Sequence, residues 1–205
     1  MSRYLFAALV LVPSLTAAQD SGVEITPFAG YRMGGSFQEE GSDSEYELRD
    51  SSSFGLILNF RNRDPTQWEI FYSQQQTEAE FQGAAPNDPL VDIDIHVLQL
   101  GGTYRGEGEK ARPYLAATIG GTHIRASSAA SSSDTFFSGS IGVGMMIMPR
   151  SRVGIRVEAR AYGTLVNSDT NLFCSTGPNQ NICAVQIEGS MLTQIETFVG
   201  ITFRF

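Results

Sequence analysis

The sequence predicts an all-β chain, an eight-stranded antiparallel up-and-down transmembrane β-barrel. Three observations predict it. Apolar and polar residues alternate with period 2 along eight segments. The connections between those segments alternate between short and long. Charge is split by connection type, with basic residues in or beside the short turns and acidic residues in the long loops. A membrane barrel has this pattern, with short turns on one side, long loops on the other and strands that alternate apolar-out, polar-in.

The chain has 205 residues, 41% hydrophobic and 18% charged, which is enough for one sizeable domain. Its formal net charge of −8 argues against a nucleic-acid partner, because phosphate backbones need a basic surface. Mean hydropathy is −0.10 and no second long apolar run exists, so a helical multispan protein is excluded. Two cysteines exclude a disulfide-dense mini-protein and a four-cysteine zinc site.

Residues 1–18 predict a secretory signal peptide: Arg3, a short apolar run from Leu5 to Leu15 broken by Pro13, then small residues at Thr16-Ala17-Ala18. Residues 19–205 are then the barrel domain. The expected strands are 23–33, 53–60, 67–77, 91–104, 112–125, 135–148, 152–165 and 186–205. In 53–60, Phe54, Leu56, Leu58 and Phe60 share one face. In 67–77, Trp68, Ile70 and Tyr72 oppose Glu69, Ser73 and Gln75. In 91–104, Val91, Ile93, Ile95 and Val97 form the apolar face and Asp92, Asp94 and His96 the polar one. Val153, Ile155, Val157, Ala159 and Ala161 oppose Arg156, Glu158 and Arg160. Ile195, Val199, Ile201, Phe203 and Phe205 oppose Gln194, Glu196, Thr202 and Arg204. In 23–33 and 112–125 the facing is ambiguous.

The short connections are Arg61–Thr66, Arg105–Ala111 and Pro149–Ser151; the long ones are 34–52, 78–90, 126–134 and 166–185. Seven of the 14 basic residues lie in or beside the three short turns, whereas the long loops carry acids such as Glu39, Glu40, Asp43, Asp50 and Glu78.

An opening strand ITPFAGYRMGG (25–35), the run LQLGGTYRGEGEKARPYLAATIGG (98–121) and a terminal Phe205 resemble the small Gram-negative outer membrane β-barrel proteins, of the OmpA transmembrane-domain and OmpX architecture. The resemblance implies residence in the cell outer membrane. It implies contact with outer membrane lipid and lipopolysaccharide. It also implies a C-terminal strand, with Ile201, Phe203 and Phe205, read by the barrel assembly machinery. A periplasmic peptidoglycan-binding domain of the OmpA kind is expected to be absent.

Eight strands close around an interior that side chains can fill. Glu69, Arg156, Glu158, Arg160 and Glu196, with Glu24 and Arg32 as further candidates, are therefore expected to form a polar plug of paired charges. Asp92, Asp94 and His96 stand on one strand face about 7 Å apart, so a cation site would need a neighbouring strand. No catalytic constellation, cofactor motif or metal site is predicted. A lipid A-modifying His–Ser couple is not matched, since His123 is followed by Ile124 and Arg125. Cys174 and Cys183 share the longest loop and, in an exported chain, are expected to form a disulfide. The expected role is structural or interactive, with any external ligand held by loops 34–52 and 166–185. The alternative is a narrow pore or a small-hydrophobe transport barrel of the OmpW kind.

Overall fold

A computed structural model describes residues 22–38, 45–81, 91–127, 132–166, 174–177, 180–183 and 190–205. The expected signal peptide, 1–18, lies outside the described residues. So do residues 39–44, 82–90, 128–131, 167–173, 178–179 and 184–189 of the long loops.

Among the described residues twelve strands are formed: β1 (Val23–Met33), β2 (Ser36–Gln38), β3 (Glu45–Leu48), β4 (Ser51–Arg61), β5 (Thr66–Phe81), β6 (Val91–Arg105), β7 (Ala111–Ser127), β8 (Ser132–Ile147), β9 (Val153–Val166), β10 (Cys174–Gly177), β11 (Gln180–Cys183) and β12 (Ser190–Arg204). Eight of them make the wall, in the order β1-β4-β5-β6-β7-β8-β9-β12, and β12 pairs back onto β1. Every neighbouring pair is antiparallel. Closure leaves none of the wall strands as a free edge, which a bilayer requires because it offers no water to unpaired backbone groups. The seam between first and last strand is tied inside by the Thr26 and Thr202 hydroxyls, 2.8 Å apart.

The register sets the barrel's shape. A path along paired residues from Val23 passes Phe60, Trp68, Gly102, Ala117, Ile141, Ala161 and Ile195 and returns to β1 at Met33, ten residues beyond its start. A stagger of ten over eight strands tilts the strands by roughly 40–45°. At that tilt the outward apolar residues form a band about 25 Å tall. Its lower rim is aromatic: Phe60, Trp68, Tyr104, Phe203 and Phe205 all face outward. This is the girdle position of a membrane barrel.

Where the sequence shows eight strands ending with their apolar alternation, the structure carries several of them further. β5 continues to Phe81 and β7 to Ser127, and β8 starts at Ser132. Backbone pairing is indifferent to side-chain polarity, so the ladder runs on after the lipid-facing signal stops. The two longest loops contain extra hairpin strands: β2 pairs with β3, β3 with the end of β5, and β10 with β11. The final strand is described from Ser190 onward; residues 186–189 of the expected strand lie outside the described residues.

One facing is corrected. On β6, Ile93, Ile95 and Val97 point into the barrel and are buried, while Asp92, Asp94 and His96 point outward. Lower on the same strand the usual phase holds, with Leu98, Leu100 and Tyr104 outward and Gln99 and Thr103 inward. The side-chain alternation never slips; the solvent outside changes from lipid to water. Above the band the barrel therefore follows the ordinary rule of soluble proteins, apolar in and polar out.

Candidate functional site

The interior is built from the inward positions of all eight wall strands. The ambiguous strands resolve: Glu24, Thr26, Phe28 and Arg32 of β1 face inward, as do Tyr114, Ala116, Thr118, Thr122 and Ile124 of β7.

At the middle level, Glu69 on β5 lies opposite β9, four strands away around an eight-strand wall. Its two oxygens accept hydrogen bonds from Arg160 Nη2 at 2.7 Å and Arg156 Nη2 at 2.8 Å. The same arginines bind Glu158, Arg160 Nε at 2.6 Å and Arg156 Nη2 at 2.7 Å. Two carboxylates and two guanidiniums thus form a neutral closed ring across the barrel's diameter. Arg156 Nη1 also donates to Asn59 Oδ1 at 2.9 Å, and the Tyr114 hydroxyl donates to Glu158 at 2.6 Å. The Arg160 guanidinium lies 3.9 Å from the Phe71 ring centre.

One inward step higher, Phe71 stacks on Phe28 (5.6 Å between ring centres), and Phe28 stacks on Phe198 (4.2 Å). Above them lies a second charge layer. Arg32 donates to Ser73 Oγ at 2.6 Å and to Glu196 at 3.2 Å; Glu196 also accepts from Ser73 at 3.1 Å and from the Tyr162 hydroxyl. The Arg32 guanidinium lies over the Tyr162 ring. None of these six charged side chains is more than 2% exposed. Beyond the second layer the lumen is closed by Val97, Ile95, Ile93, Ile124, Phe136, Val166 and Leu192, all buried.

The expected charge residues are therefore brought together, but in two separate groups. Glu69, Arg156, Glu158 and Arg160 make one, and Glu196 with Arg32 makes the other. The charge layers alternate with aromatic and aliphatic ones, which were not among the expected lumen residues. In an eight-stranded barrel there is little room for water between opposite walls, so apolar side chains serve as filling as well as polar ones.

Sequence reasoning missed Tyr114, Asn59 and Ser73 as partners. Ser73 shared the phase of Glu69, which was a usable signal; Tyr114 sat in a segment whose facing was undecided. Gly142 and Gly144, on the inward face of β8, make room for the ring. A Cβ on Gly142 would stand 2.3 Å from Glu158 Oε1, and one on Gly144 would stand 2.2 Å from the Tyr114 hydroxyl.

Asp92, Asp94 and His96 remain on one strand face, as expected. They line the outer surface of β6 above the apolar band, where Asp94 is paired in register with Arg125, and His96 Nδ1 lies 3.0 Å from the Tyr72 hydroxyl. Among the described residues no group of three or more His, Cys, Asp or Glu is arranged to hold a metal. Cys174 and Cys183 stand directly opposite each other in the β10–β11 hairpin. Ile201, Phe203 and Phe205 all face outward at the lower rim.

Comparison with solved structures finds the same fold. Neisserial surface protein A superposes with a TM-score of 0.61 at 12% identity, covering 90% of this chain and 98% of that one. The outer membrane protein OprG of Pseudomonas aeruginosa gives 0.54 at 12% identity, covering 91% and 97%. The outer membrane protein AlkL, determined in lipid bilayers, gives 0.52 at 13%, covering 95% of each. No curated protein matches the chain. Residues 4–181 match the family described as outer membrane protein beta-barrel domain. With an eight-stranded closed wall, an outward apolar band and this match over most of its length, the chain belongs to the outer membrane protein beta-barrel domain family and is a small Gram-negative barrel of the cell outer membrane.

Proposed function

We propose that this protein is a closed, non-catalytic barrel that works through the parts it shows outside the cell. The observation that carries the reading is the pair of salt bridges across the diameter, from Glu69 on β5 to Arg156 and Arg160 on β9. A pore at this level would need water or ions where these side chains make direct bonds. A path for small hydrophobes along the whole lumen would have to cross both charge layers.

In this reading the barrel is a scaffold. Its external loops, 34–52 and 166–185, hold the ligand, with the second loop shaped by a Cys174–Cys183 bridge. The polar outer faces of β5, β6 and β7 above the apolar band meet lipopolysaccharide headgroups. The outward Ile201, Phe203 and Phe205 of β12 are the surface recognised by the barrel assembly machinery. Charged lumen pairs are retained because they lock the register of opposite walls, a role seen for buried polar groups in other folds.

Planar-bilayer recording of the refolded chain tests the closed state. The expected trace shows no steady single-channel conductance. A stable, reproducible conductance from the wild-type chain overturns the proposal and favours the pore.

A further inference from the structure

The charge split between short turns and long loops takes on a second meaning at the periplasmic mouth. A cavity of about 420 Å³ opens there, walled by Arg61, Arg105, Arg112, Arg150, Arg152 and Arg204. Two carboxylates, Glu24 and Asp64, share the wall. The arginines come from the ends of β4, β6 and β12, from the start of β7 and from the turn before β9, so the fold itself gathers them.

The two carboxylates of the wall serve only part of this set. Glu24 Oε1 serves two guanidiniums, Arg105 Nη1 and Arg204 Nε, at 3.2 Å each. Asp64 reaches Arg105 at 3.7 Å from an 86% exposed position, where water screens it. Arg150 pairs with Glu109 at the exposed edge. Among the described residues neither Arg112 nor Arg152 has a carboxylate partner. Arg105 Nε, Arg112 Nε and Arg204 Nη2 are buried without any hydrogen-bond acceptor, and one oxygen of Glu24, Oε2, is buried there without a donor, so three unpaired donors face one unpaired acceptor. Buried donors left unpaired are costly, and the natural remedy is an acceptor brought from outside.

We infer that this mouth is a binding site for a phosphate-bearing anion. Guanidinium forks match phosphate oxygens two at a time, and a tetrahedral anion offers oxygens to several forks converging from different strands. A single carboxylate ligand offers only one such plane. The site lies level with the lower aromatic rim, and Phe205 lines it. The phosphate could therefore belong to a headgroup of the adjoining lipid leaflet or to a soluble periplasmic anion; the chemistry recognised is the same.

The test uses the full chain refolded into phosphatidylcholine nanodiscs and titrated calorimetrically with inorganic pyrophosphate. Saturable binding is expected, weakened about tenfold or more in the R112Q/R152Q double variant and unchanged in R125Q on the external side. Phosphatidylglycerol added to the nanodiscs separates the sources. Competition with pyrophosphate assigns the site to a lipid headgroup, and undiminished binding assigns it to a soluble anion; both support the inference. Side-chain Nε–H resonances of Arg112 and Arg152 in the wild-type chain give a readout that does not depend on the variant folding, and both are expected to shift on titration. Absence of saturable binding, equal affinity in the double variant, or unmoved arginine resonances would overturn it.

Discussion

Arg156 bonds Glu69, Glu158, Asn59 and Tyr114 at once, and Arg160 beside it bonds Glu69, Glu158, Thr118 and Ser140. Arg156→Ala leaves Glu69 and Glu158 sharing Arg160 alone, a net buried charge. The expected cost is about 3–5 kcal/mol, the range for breaking a buried pair from one side. Glu196→Ala strands Arg32 in the same way and should cost a similar amount. Denaturant titration in detergent measures both; losses under about 0.5 kcal/mol in the two variants would mean a wet lumen. Gly142→Ala tests packing rather than charge. Its new methyl would meet Glu158 head-on and push the carboxylate off Arg160, for a loss of about 1–3 kcal/mol. A neutral result would mean that β8 can move away from the ring.

Within a single strand, β6 carries two environments. Leu98 and Leu100 face lipid, and His96, Asp94 and Asp92, continuing the same outward row, face water. In a background with both native cysteines replaced by serine, a cysteine at 96 should react with a membrane-impermeant maleimide added outside intact cells. A cysteine at 100 should stay unlabelled. Equal labelling at the two positions would contradict the placement of the band. The β10–β11 hairpin carries another expectation. Cross-strand partners sit within the Cα separation a disulfide spans, so Cys174 and Cys183 should be joined to each other. Non-reducing digestion and mass spectrometry should yield one linked peptide pair, and two freely alkylated thiols would refute the bridge.

At the level of the whole molecule, closure ties every wall strand to two neighbours, so unfolding must break many backbone bonds together. The folded chain should survive cold detergent and shift its gel mobility only on boiling. Its circular dichroism should be that of a strand-rich protein. Identical mobility before and after boiling would count against the closed barrel. Reduction of the cysteines should leave this behaviour intact, because the β10–β11 pair lies outside the ten-strand sheet that contains the wall.

The eight wall strands, their up-and-down order and the outward faces of β4, β8, β9 and β12 were legible from residue order, because a membrane imposes a period-2 pattern wherever lipid meets the wall. Phe54, Leu56 and Phe60, or Val153, Ile155 and Val157, carry that pattern in the chain itself. The same rule misled on β6: Ile93, Ile95 and Val97 look like a lipid face, and alternation carries no mark of where the bilayer ends. Only closure with a ten-residue stagger places them above the apolar band, facing inward. The charged residues of the lumen could be named from their phase, yet their grouping could not. Glu69 and Arg156 are 87 residues apart in the sequence and meet because β5 and β9 stand on opposite sides of an eight-strand ring. The arginines of the periplasmic mouth are likewise scattered along the sequence, and it is the barrel's circumference that gathers them around one cavity.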